Sequence, residues 1–516
     1  MAVACRGYVP DRPPRQPLRQ LALAAPARRC QTAGTVNVER TKIVATLGPA
    51  SSERKVLGAM IDAGLDVVRL NFSHGERADH LARFATAREV AAERDRNLAI
   101  LADLQGPKIR VGLVDDDGIA VAPGDEIVLV AGTEHAGPSE IPVVYPALAA
   151  DVKPGEHVLL DDGAIALRVR AVDGNRVRSE VLRGGVVRSR KGVNLPGVAV
   201  SAPSLTDKDR ADLATAVEAG ADYVALSFVR RPDDVVDAKQ AIAELGGDIP
   251  VVAKLERPEA LDHLDEILDA ADAVMVARGD LGVELAVEKV PPLQKEIIAR
   301  ANSLGVPVIT ATQMLESMVS SPRPTRAEAS DVANAIFDGT DAVMLSQETA
   351  VGAFPVEAVA TMGRIAREAE NTPQLASPPP PATGALDVTA TVCKAAVQIA
   401  TDLAASAIVA FSESGATARF VSRFRPRMPI LGLTPNEVTR RRMALYWGVE
   451  AASPLDQGVE LAAMIAQGDQ RICDEGMATP GDLVVVVAGT PGGRGGTNRV
   501  LVHRVGEPDA TPVLNR

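Results

Sequence analysis

Aromatic residues are scarce in this sequence, making up 3% of it with a single Trp. A nucleic-acid binder usually stacks bases on such rings and presents a basic face. With 55 Lys and Arg against 67 Asp and Glu, the formal net charge is -12, so nucleic acid is excluded as a partner. Cysteine is scarce too: Cys5, Cys30, Cys393 and Cys473 lie far apart, with no CxxC or other metal-ligand spacing. That usage reads as a reducing, cytoplasmic setting. Long apolar runs are also missing, and none approaches the roughly 18 residues that a spanning helix needs. The strongest, Leu483–Ala488, reads as a buried strand. The expectation is a soluble protein with no membrane partner.

What is present is length and a regular rhythm. A chain of 516 residues exceeds what one core holds, so several domains are expected. A hydrophobic fraction of 46% and a mean hydropathy of +0.07 suit well-buried globular domains. Residues 1–37 stand apart: Arg6, Arg12, Arg15, Arg19, Arg28 and Arg29 face a single acid, Asp11, among several prolines. A transit peptide is Arg-rich and acid-poor, but prolines break an amphipathic helix and no signal-peptide core is visible. The segment reads as a disordered extension or as sequence upstream of the true start, with targeting as the alternative.

From Thr41 onward, short apolar runs alternate with helical patterns. The runs are Lys42–Leu47, Asp66–Ser73, Ala99–Leu104, Tyr223–Val229, Val251–Leu255, Ala273–Ala277, Val306–Thr312 and Ala342–Ser346. Helical stretches fall between them, among them 53–63, 207–219, 234–245, 258–270 and 291–303. This alternation predicts a parallel sheet covered by helices, and eight units predict an α/β fold, a (β/α)8 TIM barrel over 38–104 and 204–370. Periodicity alone leaves an open sheet of two joined halves as the alternative. Residues 105–203 break the rhythm with short Val-rich runs cut by Gly, Pro and Asp, which predicts an inserted small β-barrel acting as a lid. A stiff Pro-rich linker is expected over 371–385. A C-terminal α/β domain is expected over 386–516, with strands at 407–410, 430–433 and 483–488.

In such a barrel the chemistry gathers at the C-terminal strand ends. Those ends carry Arg69, Asn71, Ser73 and His74; Asp103; Ser227 and Phe228; Lys254 and Glu256; Arg278, Gly279 and Asp280; and Thr310 and Thr312. A Lys leaving the apolar run Val251–Ala253 needs a reason, because an unpaired buried charge is costly. Glu256 shares its side of the strand, and Asp280 is expected at the same height on the next strand. Two carboxylates there would make an open site for a hard cation such as Mg²⁺. A cation together with Lys and Arg in one pocket suits phosphoryl transfer, which asks for neutralisation and alignment. The glycines of Arg278–Gly282 would let the backbone approach an oxyanion.

Five segments then carry a family resemblance: 41–51 (TKIVATLGPAS), 69–75 (RLNFSHG), 191–197 (KGVNLPG), 275–282 (MVARGDLG) and 311–318 (ATQMLESM). The chain resembles pyruvate kinases from about Val38 to near Gly506, with the motifs in the family's order. The resemblance implies transfer of the phosphoryl group of phosphoenolpyruvate to ADP, giving pyruvate and ATP in the last step of glycolysis. It implies Glu256 and Asp280 as ligands of Mg²⁺ or Mn²⁺, and Lys254 as the group stabilising the transferring phosphoryl and the enolate. It implies Thr312 near the substrate methylene, Arg69 on the phosphate, Ser227 in the substrate site, and the backbone of Gly279 and Asp280 on the substrate carboxylate. Asn71, His74, Arg110 and Lys191 resemble nucleotide-side contacts. Asn71, Ser73, Asp103 and the Leu104 carbonyl resemble a monovalent-cation site. K⁺-dependent members carry Glu near the lid hinge where this chain has Lys108, and activity without K⁺ is expected. In the last domain Ser412, Ser414, Gly415, Thr417 and Arg494 resemble a site for a phosphorylated allosteric effector, with Glu413 counting against an anion. A homotetramer is implied by analogy. Competing readings are an aldolase or lyase barrel, and an inactive metabolite sensor.

Overall fold

Eight short runs of mostly β-branched and aliphatic residues, nearly all buried, form parallel strands. They are β1 (Lys42–Thr46), β2 (Val67–Asn71), β3 (Ala99–Asp103), β4 (Tyr223–Leu226), β5 (Val251–Leu255), β6 (Ala273–Ala277), β7 (Val308–Ala311) and β8 (Ala342–Leu345). Each pairs with the next and β8 returns to β1, with Lys42 opposite Ala342, so the sheet is a closed barrel and not an open one. This computed structural model describes residues 39–137, 139–372, 387–452, 461–489 and 496–507. The N-terminal extension and nearly all of the Pro-rich segment lie outside the described residues.

Helices return the chain between strands, and their ends follow local chemistry. Thr206 and Thr325 each cap a helix through a capping box with Asp209 and Glu328. The stretch expected as one helix over 258–270 is two, Glu259–Asp262 and Leu264–Ala270, because His263 leaves the helical region at φ -120.

A staple repeats every second strand. Asp66, Asp222, Asp272 and Asp341 immediately precede β2, β4, β6 and β8. Each carboxylate accepts the backbone N–H of a residue at the start of the preceding strand in the chain: Ile43 at 2.8 Å, Ile100 at 2.7 Å, Val251 at 2.9 Å and Val308 at 2.8 Å. Each Asp also donates its own N–H to the carbonyl of that same residue. Lys42, Arg441, Lys239 and Arg425 respectively neutralise the four carboxylates.

Between β3 and β4 the chain makes the inserted domain. Its six-stranded sheet runs in the order Val193–Asn194, His157–Leu160, Ile165–Asp173, Arg176–Arg183, Glu126–Ala131, Glu140–Val143. Both edges pair with one further segment, Arg110 opposite Gly192 and Val111 opposite Val143, which closes the sheet into a small barrel. Leu129, Ile141, Val158, Leu160 and Leu167 fill it.

The last domain is a five-stranded sheet, Val449–Ala452, Ile430–Leu433, Ala407–Phe411, Leu483–Gly489 and Thr497–Arg504, of which only the last strand is antiparallel. The first and last were not expected from sequence. This domain also supplies the floor of the large barrel. Ala444 and Leu445, 4% and 1% exposed, join the barrel-interior cluster of Val67, Ala99, Tyr223, Ala273 and Ala342, several of them the first residues of their strands. Tyr223 Oη donates to the Arg442 carbonyl at 2.6 Å. Among the described residues no helix is long and apolar enough to cross a membrane.

Candidate active site

The opposite end of the barrel gathers a second, interior cluster of charge. Arg69, on β2, donates from Nε to Asp103 Oδ2 at 2.6 Å and from Nη1 to Thr46 Oγ1 at 2.9 Å. The other oxygen of Asp103 meets Lys254 Nζ at 3.3 Å, and Lys254 also reaches Glu256 Oε1 and Ser227 Oγ, both at 2.8 Å. Ser227 in turn donates to the Leu104 carbonyl at 2.7 Å. The side chains of Asp103 and Glu256 are 1% exposed. Lys254 and Glu256 thus share one side of β5 and its continuation, as alternation requires.

Burial and charge act against each other here. Burial alone would lower the Lys254 pKa, yet Asp103 and Glu256 offset it and hold the ammonium above its ordinary value. Burial would raise the Asp103 pKa, but Lys254 and Arg69 hold the carboxyl below the usual range. Glu256 goes the other way: burial raises it, and Asp280 adds to the rise against the pull of Lys254.

Asp280 does not extend β6. That strand ends at Ala277, and Asp280 lies in the first turn of the short helix Arg278–Glu284. Opposite it, Gly279 N–H donates to Thr312 Oγ1 at 2.8 Å, and a Cβ on Gly279 would stand 3.3 Å from Thr312 Cγ2. Thr312 and Phe228, both beyond strand ends, hold φ of +69 and +56, a region unusual for β-branched and bulky residues and one that strained active-site residues also occupy.

The donor set suits a divalent cation. Three carboxylates, Asp103, Glu256 and Asp280, act on the Lys254 ammonium against one other cation, Arg69. Among the described residues no group of three or more His, Cys, Asp or Glu could hold a metal ion by itself. Two oxygen-donor side chains, with the remaining positions left to substrate and water, is how Mg²⁺ is commonly held.

The inserted domain faces this end. A cleft is lined by Lys108, Asp162 and Asn194 from one side and by Phe228, Asp280 and Glu284 from the other. His74 is exposed; partial burial and then the charges of Arg110, Lys108 and Arg69 lower its pKa, so these cations share one neighbourhood. Arg110 donates to the Arg190 carbonyl at 3.1 Å, and Lys191 pairs with Asp161 at 2.9 Å. Lys108 is exposed, with no ion-pair partner among the described residues. Asn71 Oδ1 accepts from the Ser73 N–H at 3.1 Å. Of the monovalent-site candidates, Asp103 has both oxygens engaged by Arg69 and Lys254.

Sequence reasoning did not single out Thr46, Arg257 or Glu284. Glu284, buried, accepts from Arg257 Nη1 at 2.8 Å and from Asn194 Nδ2 at 3.3 Å, tying the inserted domain to the residue after Glu256. Thr46 was legible as the last residue of β1 inside the first motif; Glu284 had no comparable signal.

In the last domain Ser412 Oγ accepts from the Thr417 N–H at 3.3 Å, Ser414 is exposed and Gly415 has φ +82. Thr417 is 5% exposed and its hydroxyl bonds Thr497 Oγ1 at 2.8 Å, so it faces the sheet and not the loop's open side. Arg494 lies outside the described residues.

Comparison with known proteins agrees with this geometry. Residues 38–359 match the model of the pyruvate kinase barrel domain, and residues 390–503 that of the pyruvate kinase alpha/beta domain. The chain is 46% identical over 471 residues to pyruvate kinase 2 of Synechocystis, covering 90% of this chain and 78% of that protein. It is 44% identical over 486 residues to the pyruvate kinase of Agrobacterium vitis, covering 92% and 98%. A crystal structure of a pyruvate kinase from Cryptosporidium parvum superposes with a TM-score of 0.85 at 35% identity, over 90% of this chain and 96% of that one. The chain therefore belongs to the pyruvate kinase family, the phosphotransferases that pass the phosphoryl group of phosphoenolpyruvate to ADP and release pyruvate and ATP.

Proposed function

We propose that Arg69 and Lys254 hold the phosphoryl group while it moves, with Lys254 also stabilising the enolate left behind. The observation that carries this reading is the continuous chain Arg69–Asp103–Lys254–Glu256, which gathers both cations at one end of the barrel and fixes their positions. Ser227 steadies Lys254, and the backbone at Gly279 and Asp280 receives the substrate carboxylate. Thr312 orients a water that protonates the enolate carbon. His74, Asn71, Arg110 and Lys191 attend the nucleotide, and closure of the inserted domain excludes the water that would otherwise hydrolyse the phosphoryl donor. Mg²⁺ or Mn²⁺, held by Glu256 and Asp280, would supply charge neutralisation and alignment of both substrates.

Lys108 takes the place of a monovalent cation. Its ammonium is exposed and unpaired among the described residues, close enough to influence His74, and Asp103 already has Arg69 and Lys254 as counter-charges, one on each oxygen. The domain limits read from the sequence, a cytoplasmic location and a homotetramer belong to the same reading, supported by the family. So does an effector at Ser412, Ser414 and Gly415 with Arg494, while Thr417 contributes through its backbone.

Initial rates of pyruvate formation, with and without Mg²⁺ and in K⁺-free buffer or KCl, test the proposal. Turnover should require the divalent cation, persist without K⁺, and become K⁺-dependent in Lys108→Glu. Strict K⁺ dependence of the unaltered protein would end the reading of Lys108.

A further inference from the structure

Thr312 is β-branched, and its φ of +69 is followed by +54 at Gln313. Two successive residues in this region do not hold themselves there. Beside the Gly279 N–H on the Thr312 hydroxyl, one side chain reaches both flanking peptides. Arg278 Nε donates to the Ala311 carbonyl at 3.1 Å and Nη2 to the Thr312 carbonyl at 2.7 Å, so a single guanidinium grips the peptide on each side of Thr312. Its remaining nitrogen is anchored by Asp331 Oδ1 at 2.7 Å and Gln294 Oε1 at 3.3 Å. Gln294 itself is pinned by Asp338 at 2.9 Å. The Arg278 side chain is 12% exposed, with all three nitrogens engaged in this way. The Thr312 hydroxyl is left donating to the Ala311 carbonyl at 2.6 Å and accepting from Gly279 at 2.8 Å.

We propose that Arg278 is a positioning residue for proton delivery: by bracing the carbonyls of Ala311 and Thr312 it keeps the Thr312 hydroxyl aimed at the substrate carbon. This rests on the reading of Thr312 given above. In that step the enolate carbon takes a proton from a water ordered by Thr312, the electron pair of its C=C bond forms the new C–H bond, and the hydroxide left is reprotonated by solvent. Lys cannot replace Arg here, because an ammonium lacks the planar fork that reaches two carbonyls and a carboxylate together.

The test separates proton transfer from phosphoryl transfer. Exchange of the pyruvate methyl protons with D₂O, followed by NMR in the presence of Mg²⁺ and ATP, reports the first; the KM for ADP reports binding at the other end of the site. Arg278→Lys should slow the exchange on the order of 10²-fold, the scale expected for a displacement near 1 Å, and leave the KM for ADP within about twofold. Asp331→Asn, which loosens the anchor and leaves the guanidinium in place, should slow it in the same direction by less. Adding Arg278→Lys to Thr312→Ala should cost little more than Thr312→Ala alone, since coupled residues are not additive. If Thr312→Ala abolishes exchange while Arg278→Lys and Asp331→Asn retain it, the bracing role is wrong. If Thr312→Ala retains exchange, the role given to Thr312 itself is wrong and the bracing of it has no catalytic meaning.

Discussion

Asp103→Asn tests the electrostatic account of the site without touching the substrate-facing cations. Asp103 is 1% exposed and gives one oxygen to Arg69 at 2.6 Å and the other to Lys254 at 3.3 Å. Asparagine keeps the shape but offers one acceptor and one donor, so one cation must face an NH₂ group and both lose a counter-charge. Removing one partner from a buried ionic group costs about 3–5 kcal/mol. For a large domain that corresponds to a fall in Tm of roughly 6–20 °C. Differential scanning calorimetry at pH 7 would read it, with turnover measured in parallel. The pH dependence has a definite sign. Burial alone would raise the Asp103 pKa, but Lys254 and Arg69 hold it below the ordinary value of 3.8, so its contribution is present above that pH and is lost as pH falls. The gap between wild type and variant should be level from pH 6 to 8 and close only in strong acid. A shift under about 2 °C, or a gap that widens toward acid, would refute the idea that Asp103 holds the two cations in place.

Two further outcomes follow from other parts of the molecule. Glu39 lies against Arg367 with Asp66 and Glu370 near, and burial first of all pushes its carboxyl up to about 7; its stabilising protonation is complete below pH 4.5 and lost as pH rises through 7. Wild-type Tm should therefore decline across neutral pH more than that of Glu39→Gln, and equal slopes would refute it. In Gly279→Ala the new methyl meets Thr312 Cγ2 at 3.3 Å, so kcat should fall on the order of tenfold with the KM for ADP unchanged; an unaltered kcat would show that the Gly279–Thr312 approach has slack.

Much of the barrel was legible because its strands are unbroken apolar runs that only a doubly covered parallel sheet would bury. The charged strand ends were legible for the converse reason: Lys254 has no business in such a run unless paired, and Glu256 on the same side supplied the pair. Other features were hidden. His263 breaks a helix through its dihedral angles, not its composition. Val449–Ala452 is a four-residue edge strand with one β-branched residue and two alanines, too short and too low in β propensity to read as a strand, and it pairs with the edge of Ile430–Leu433. The left-handed turn at Thr312 depends on Arg278, which is far from it in sequence and reads as part of a glycine motif. The aspartate staples had a signal that went unused: Gly-Leu-Asp-Val-Val, Gly-Ala-Asp-Tyr-Val, Ala-Ala-Asp-Ala-Val and Gly-Thr-Asp-Ala-Val recur at every second strand. That repeat marks the alternate strands without any reference to periodicity.

The floor lent by the last domain has a bearing on biosynthesis. The barrel's last helix ends at Glu370, but Leu445, which fills the open mouth between the first residues of its strands, is translated about 75 residues later. At some 5–20 residues per second, a nascent barrel waits about 4–15 s with its apolar interior uncapped. During that interval one of its four staples, Asp341, also lacks the Arg425 that neutralises it, whereas Asp222 keeps Arg88 from the barrel itself. The ribosome thus releases a barrel that closes its walls before it receives its base, and a stall within that stretch would leave an apolar funnel exposed to chaperones.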